Sequence, residues 1–341
     1  AASAPPELTV PESSFVARPQ PMDSATYSAS SRLQAAGLQP AIALFEDAAR
    51  SVPLPRAPQP IAIADYGAAN GYNSLLPVNT AIRVLRGRTR SDRAILVVHT
   101  DVAENDFSAL FATLVDDPDS YLKKEQAVFA SSVGRSFYQQ ILPSNSIALG
   151  WSSWAVHWLS RIPMPVPDHV QVSYSADDEV RRAYARQAAE DWHEFVAFRG
   201  RELAPGGRLV VLAMAMEPDG GSGYRAAFDA VVAGLRRLVD DGVITAEEAR
   251  RMSVPSMARD EKDFRAPFAP SGRFEGLSIE HLELFNAEDR FWAQYRLDND
   301  ASAFAAKWAG FLRAAIFPSL AAALDGGGVD ARAAGFVERL E

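Results

Sequence analysis

Residues 61–74 read IAIADYGAANGYNS. An unbroken apolar run that ends in an acid and then a turn with glycine at both ends is the pattern of a strand buried on both faces, handing over to a helix at a ligand-facing turn. A helical pattern follows over 74–85, and a second apolar run, AILVVH, over 94–99. Strand, glycine turn, helix and strand make a parallel βαβ unit, so the chain is read as α/β. Residues 127–131, 146–150 and 208–214 are further strand candidates, which gives an expected sheet of at least five strands.

Helical patterns are expected near 30–50, split near Gly37 and Pro40 with Leu33, Leu44 and Phe45 buried, and over 177–203, 225–241 and 301–324. The third runs on into TAEEARRM, and Gly326 onward stops the last. Residues 273–285 look like a pair of short strands. The first 22 residues, rich in Pro, Ser and Ala, read as a flexible arm. The core is expected over 23–165 with 200–216 and 270–330, and a helical cap over 166–199 and 217–269.

Composition narrows the function classes. With 341 residues and 48% hydrophobic content the chain has ample material for a large core, and its net charge of -9 argues against nucleic acid or an anionic membrane as partner. Arg83, Arg86, Arg88, Arg90 and Arg93 form a local basic cluster, read as a solvated loop. The absence of cysteine excludes disulfides and thiolate metal sites and fits the cytoplasm. No apolar run reaches membrane-spanning length and no secretory signal is visible, so a soluble protein is expected.

Residues 67–71, GAANG, lack the GxGxxG spacing of a dinucleotide site, which disfavours a nicotinamide oxidoreductase. Such a turn suits a small polar group rather than a pyrophosphate. An amino-acid end held there, with a ribose held by Asp101 after the second strand, describes S-adenosylmethionine (SAM). Asp65 and Gly71 also read simply as turn formers. Residues 145–160, NSIALGWSSWAVHWLS, end another strand in serines and tryptophans, suited to the wall of a pocket for a flat organic molecule.

These pieces, with TYSASSRLQ, DVAENDFSALF, SFYQQILPSNS, ELAPGGRLVV, GRFEGLSIEHLELF and FLRAAIFPSL, resemble in order and spacing the SABATH methyltransferases, enzymes of the salicylate, benzoate, jasmonate and theobromine type, over roughly residues 22–322. The resemblance implies a class I, Rossmann-like SAM-dependent methyltransferase sheet with an α-helical cap, and a homodimer. It also implies cofactor roles for Tyr27, Ser31, Asp65, Gly67, Asn73, Asp101, Val102, Ser136 and Phe137, with Phe137 against the adenine. Asn73 and Asp106 read equally as helix caps, and Phe137 or Tyr138 as core. Gln34 and Trp158 would orient an acceptor carboxylate, and Trp154, His157, Phe228 and Leu312 would shape its pocket.

A carboxylate is already ionised near neutral pH, so its methylation needs no general base. The histidines agree: His99 reads as packed, His193 and His281 as solvated, and none joins a triad. His157 is open between substrate contact and structure. The chain departs from the plant pattern at Ala68 and Ala69 and is shorter after Ser160; no metal is expected. Methyl-ester formation on a small aromatic or flat acid is the leading reading. The alternatives are an N- or phenol O-methyltransferase of a heterocycle and a non-catalytic SAM-binding protein.

Overall fold

The computed structural model describes residues 37–217, 220, 223–287, 289–327 and 330–341. Tyr27, Ser31, Leu33 and Gln34 lie outside them, as does the N-terminal arm. Strands β1 (Ile61–Tyr66), β2 (Ile95–Asp101), β3 (Val128–Gly134), β4 (Ile147–Ser153) and β5 (Leu203–Leu212) form one parallel sheet in the order β3-β2-β1-β4-β5. The winding therefore reverses between β1 and β4, the place where open α/β sheets bind ligands.

All six residues of β1 are buried, as a central parallel strand requires. Ile61 and Ile63 pack on one face with α1 (Gln39–Ser51), α2 (Tyr72–Arg88), α3 (Phe107–Asp116) and Tyr121 of α4 (Tyr121–Lys124). Ala62, Ala64 and Tyr66 alternate onto the other, against Trp192, Phe195 and Val196 of α5 (Asp178–Glu202). That helix starts cleanly because the Asp177 side chain accepts from the amides of Glu179 and Val180, and it carries acids at its start and arginines at its end. A separate apolar cluster joins α6 (Arg225–Asp240), α7 (Ala246–Arg251), α10 (Ala301–Ala315), α11 (Phe317–Ala321) and α12 (Ala333–Leu340). Two further helices, α8 (Glu261–Arg265) and α9 (Arg290–Asp298), lie between them in the chain.

Several expectations are corrected. The pattern from 225 through TAEEARRM is two helices, because Gly242 turns with φ 68 and Thr245 with Glu248 forms a capping box that starts α7. The helix expected over 301–324 breaks at Ile316, since Pro318 has no amide to continue it. Residues 273–285 are not paired strands: Glu275 and Gly276, both left-handed, make a tight turn closed by a single Phe274–Leu277 bridge, and the chain beyond lines a cavity. Leu44 is half-buried and lines that cavity too.

The arginine cluster is solvated only in part: Arg83 and Arg90 are exposed, but the other three are bound to backbone. Arg88 donates to the carbonyls of Ala49 (2.6 Å) and Val52 (2.8 Å) at the end of α1, Arg86 to those of Arg93 and Gln126, and Arg93 to that of Pro55. The guanidinium donors satisfy carbonyls that a helix end and the neighbouring turns leave open.

Candidate active site

The turn after β1 is built on bare backbone. Gly67 has φ +86, and a Cβ there would fall 2.4 Å from Ala155 Cβ, so only glycine fits. The amides of Gly67 and Ala68 both donate to Thr100 O, at 2.9 and 3.0 Å. Asp101 then clasps the turn to the end of β2: its Oδ2 accepts from the Ala69 amide at 2.7 Å and its Oδ1 from that of Val102 at 2.8 Å. Burial pushes the Asp101 carboxyl up to about 6, opposed by those two amides.

Asp65 and His99 are register partners across β1 and β2. Asp65 Oδ2 meets His99 Nδ1 at 2.7 Å, and His99 Nε2 meets the Tyr121 hydroxyl at 2.8 Å, all three buried. Burial, with Asp65 nearby, keeps that phenol protonated by raising its pKa. Helix α2 begins at Gly71 without a side-chain cap, so Asn73 is not its cap; Asp106 does cap α3, accepting from Ala109 N at 2.9 Å.

Ser136 and Phe137 follow β3. Phe137 packs edge-on against Tyr138 and Phe195, with ring centroids 4.8 and 5.4 Å apart, and lies beside Gly67. This segment is held by a buried network that sequence reading missed. Arg199 pairs with Glu202 at 2.9 Å and donates to Phe137 O and Gln139 O, while Glu202 accepts from the amides of Ile141 and Leu142 and from the Tyr66 hydroxyl. In sequence the pair is indistinguishable from an ordinary surface i,i+3 pair on a helix.

Beyond β4, Trp154 takes a left-handed φ of 55, rare for a bulky residue, and directs the chain into residues 155–158. A cavity of about 1020 Å³ opens here, with Trp154, His157, Trp158, Phe228 and Leu312 all in its wall. Trp158 packs on the apolar cluster containing Phe228 and Leu312, and its indole N–H has no acceptor among the described residues. Asp65, Gly67, Asn73, Asp101, Val102, Ser136 and Phe137 are not in this wall; they gather at the ends of β1 to β3, and Ala155, the neighbour of Trp154, packs against Gly67.

Residues 254–259 brace the wall. Trp158 and Ser256 form an antiparallel bridge, Met257 N donates to His157 O at 2.9 Å, and Arg259 donates to Val156 O at 2.5 Å. His157 is buried, and burial together with the Arg259 charge pulls its pKa down to about 3, so the imidazole is neutral at physiological pH. His193 and His281 are exposed. Among the described residues no group of three or more His, Cys, Asp or Glu could hold a metal ion, and no helix is long and apolar enough to cross a membrane.

Loganic acid methyltransferase, solved with SAH, shares this fold with a TM-score of 0.71 at 22% identity, over 93% of this chain and 91% of that one. Salicylate carboxymethyltransferase of Clarkia breweri is 27% identical over 251 residues, covering 70% of this chain and 67% of that enzyme. Methyltransferase FUS9 of Gibberella moniliformis is 29% identical over 241 residues, and the match spans only 64% of its length. Residues 19–337 match the family described as SAM dependent carboxyl methyltransferase, and the chain belongs to that family.

Proposed function

We propose that this chain transfers a methyl group from SAM to the carboxylate of a small aromatic or otherwise flat acid, forming its methyl ester. The observation that carries the reading is the wall around Trp158. Its indole donor, without an acceptor among the described residues, a histidine held neutral, and the apolar Phe228 and Leu312 surround one cavity just beyond the end of β4.

The residues at the strand ends fit the cofactor. At Gly67 a side chain would fill the cradle, and the two Asp101 oxygens keep acceptor capacity beyond their backbone bonds, as a carboxylate offers about four lone-pair sites. Asp65 keeps the oxygen not spent on His99. We assign the amino-acid end to Asp65, Gly67 and Asn73, the ribose to Asp101 and Val102, and the adenine to Ser136 and Phe137, with Tyr27 and Ser31 completing the site. When bound, SAM supplies a methyl carbon on a sulfonium, and the S–C electron pair leaves with sulfur as the new C–O bond forms.

The chain's own part is placement and exclusion of water. Cation and anion become neutral products, so neutral donors in a dry chamber favour the transition state, whereas a direct guanidinium contact would hold the ground-state carboxylate too firmly. Gln34 and Trp158 supply the neutral donors. No proton moves, so no base is needed. We further propose a homodimer, from the resemblance, acting in the cytoplasm; sedimentation and cell fractionation check these.

The deciding experiment is methyl transfer to a panel of carboxylic acids, with product lability to mild alkali to separate an ester from a methyl ether or amine. In Gln34→Ala, KM for the acid should rise or turnover fall while SAM affinity holds. Unchanged kinetics on the preferred acid would remove the assignment.

A further inference from the structure

The cavity wall carries an unmet hydrogen-bond acceptor. Gln171 is 2% exposed, and its Nε2 donates to Ser256 Oγ at 3.0 Å, but its Oε1 is closed off from solvent and has no partner among the described residues. His157, 6% exposed, shares the condition at Nδ1. Both residues line the cavity.

Gln171 is fixed in the chamber wall by the same segment that braces Trp158. Val254 N donates to Val170 O at 2.7 Å, Leu159 N to Pro255 O at 2.7 Å, and Ser256, which holds the Gln171 amide, is the bridge partner of Trp158. Buried polar groups are almost always paired, and a leucine would occupy this place without leaving a carbonyl stranded. An amide held by one end in a ligand chamber is what a site built to read a donor looks like. The donor is not the acid's carboxylate, which has no proton to give at neutral pH.

We propose that Gln171 determines acceptor specificity, its Oε1 taking a hydrogen bond from a hydroxyl or N–H group that the acid carries in addition to its carboxylate. This rests on reading the cavity as the acceptor chamber for methyl transfer.

The test pairs aromatic, indolic and alicyclic acids with their hydroxylated and keto derivatives and measures kcat/KM for each with the whole chain and SAM. In the wild-type protein at least one hydroxy acid should exceed its parent by about tenfold or more. In Gln171→Leu that ratio, taken against the parent acid measured in the same variant, should collapse toward one. A wild-type protein indifferent to every hydroxyl, a preference for keto over hydroxy acids, or a ratio that survives in Gln171→Leu would overturn the proposal. Absence of transfer to any acid by a protein that binds S-adenosylhomocysteine would instead remove the methyl-transfer reading, and this proposal with it.

Discussion

Gly67→Ala tests whether the two halves of the site are held together through one contact. The new methyl would sit 2.4 Å from Ala155 Cβ, where ordinary contact begins near 3.4 Å, so the turn and residue 155 must separate by roughly 1 Å. A φ of +86 adds about 1–2 kcal/mol for any side chain with a Cβ, and overpacking about 1–3 kcal/mol more, for a loss of about 2–5 kcal/mol. Because Ala155 stands between Trp154 and the rest of the wall, the same 1 Å misplaces acceptor against donor and should cost about a hundredfold in turnover. Ala155→Gly in the same protein removes the clash but not the backbone strain. Urea unfolding of the wild type, both single variants and the double variant should therefore give a coupling of about 1–3 kcal/mol, and the double variant should regain part of its S-adenosylhomocysteine affinity. Additive single effects, or a Gly67→Ala protein with wild-type stability and turnover, would refute this account of the junction.

Three other outcomes are expected. Affinity for S-adenosylhomocysteine, measured by calorimetry, should fall as pH drops through about 6, where the half-buried Asp101 carboxyl takes up its proton and loses its charge-assisted bonds; Asp101→Asn should weaken binding and abolish the inflection. Glu202→Gln leaves Arg199 buried without its counter-charge and should destabilise the fold by about 3–5 kcal/mol in urea titrations. The neutral His157 has a folded pKa far below its ordinary 6.5, so below about 6.5 the unfolded chain binds the proton first and stability declines, by about 1.4 kcal/mol per pH unit, down to about 3. Asp101, with its raised pKa, contributes in the opposite sense over part of this range, so the effect is read as the wild-type slope minus that of His157→Gln.

What could be read beforehand follows from the range of the interactions. The continuous apolar run of β1 and the glycine of its turn are local signals, and they sufficed for the parallel sheet and for the ends of its strands. The division between α6 and α7 has local signals too, Gly242 and the Thr245–Glu248 capping box, but the helical period running across them hid the break. Arg88 looked like a surface charge because its acceptors, Ala49 O and Val52 O, lie on another helix. Gln171 carries no local signal at all: its meaning lies in an oxygen left over after Ser256 has taken the nitrogen.

The placement of Arg259 explains how the chamber can attract an acid without gripping it. This residue is 1% exposed and outside the cavity wall, and it donates through Nε and both Nη atoms to the carbonyls of Ala188 and Val156. Its charge nevertheless acts across the peptide of Val156, as the lowered pKa of His157 records. Such a field favours the anion's entry while adding little that the transition state must give up. In a folded Arg259→Gln protein, NMR titration should find His157 above about 3 yet still below 6.5, because burial is the larger cause, and KM for the acid should rise with little change in kcat. A His157 titration and a KM both identical to wild type would show that the buried cation serves only to hold the wall.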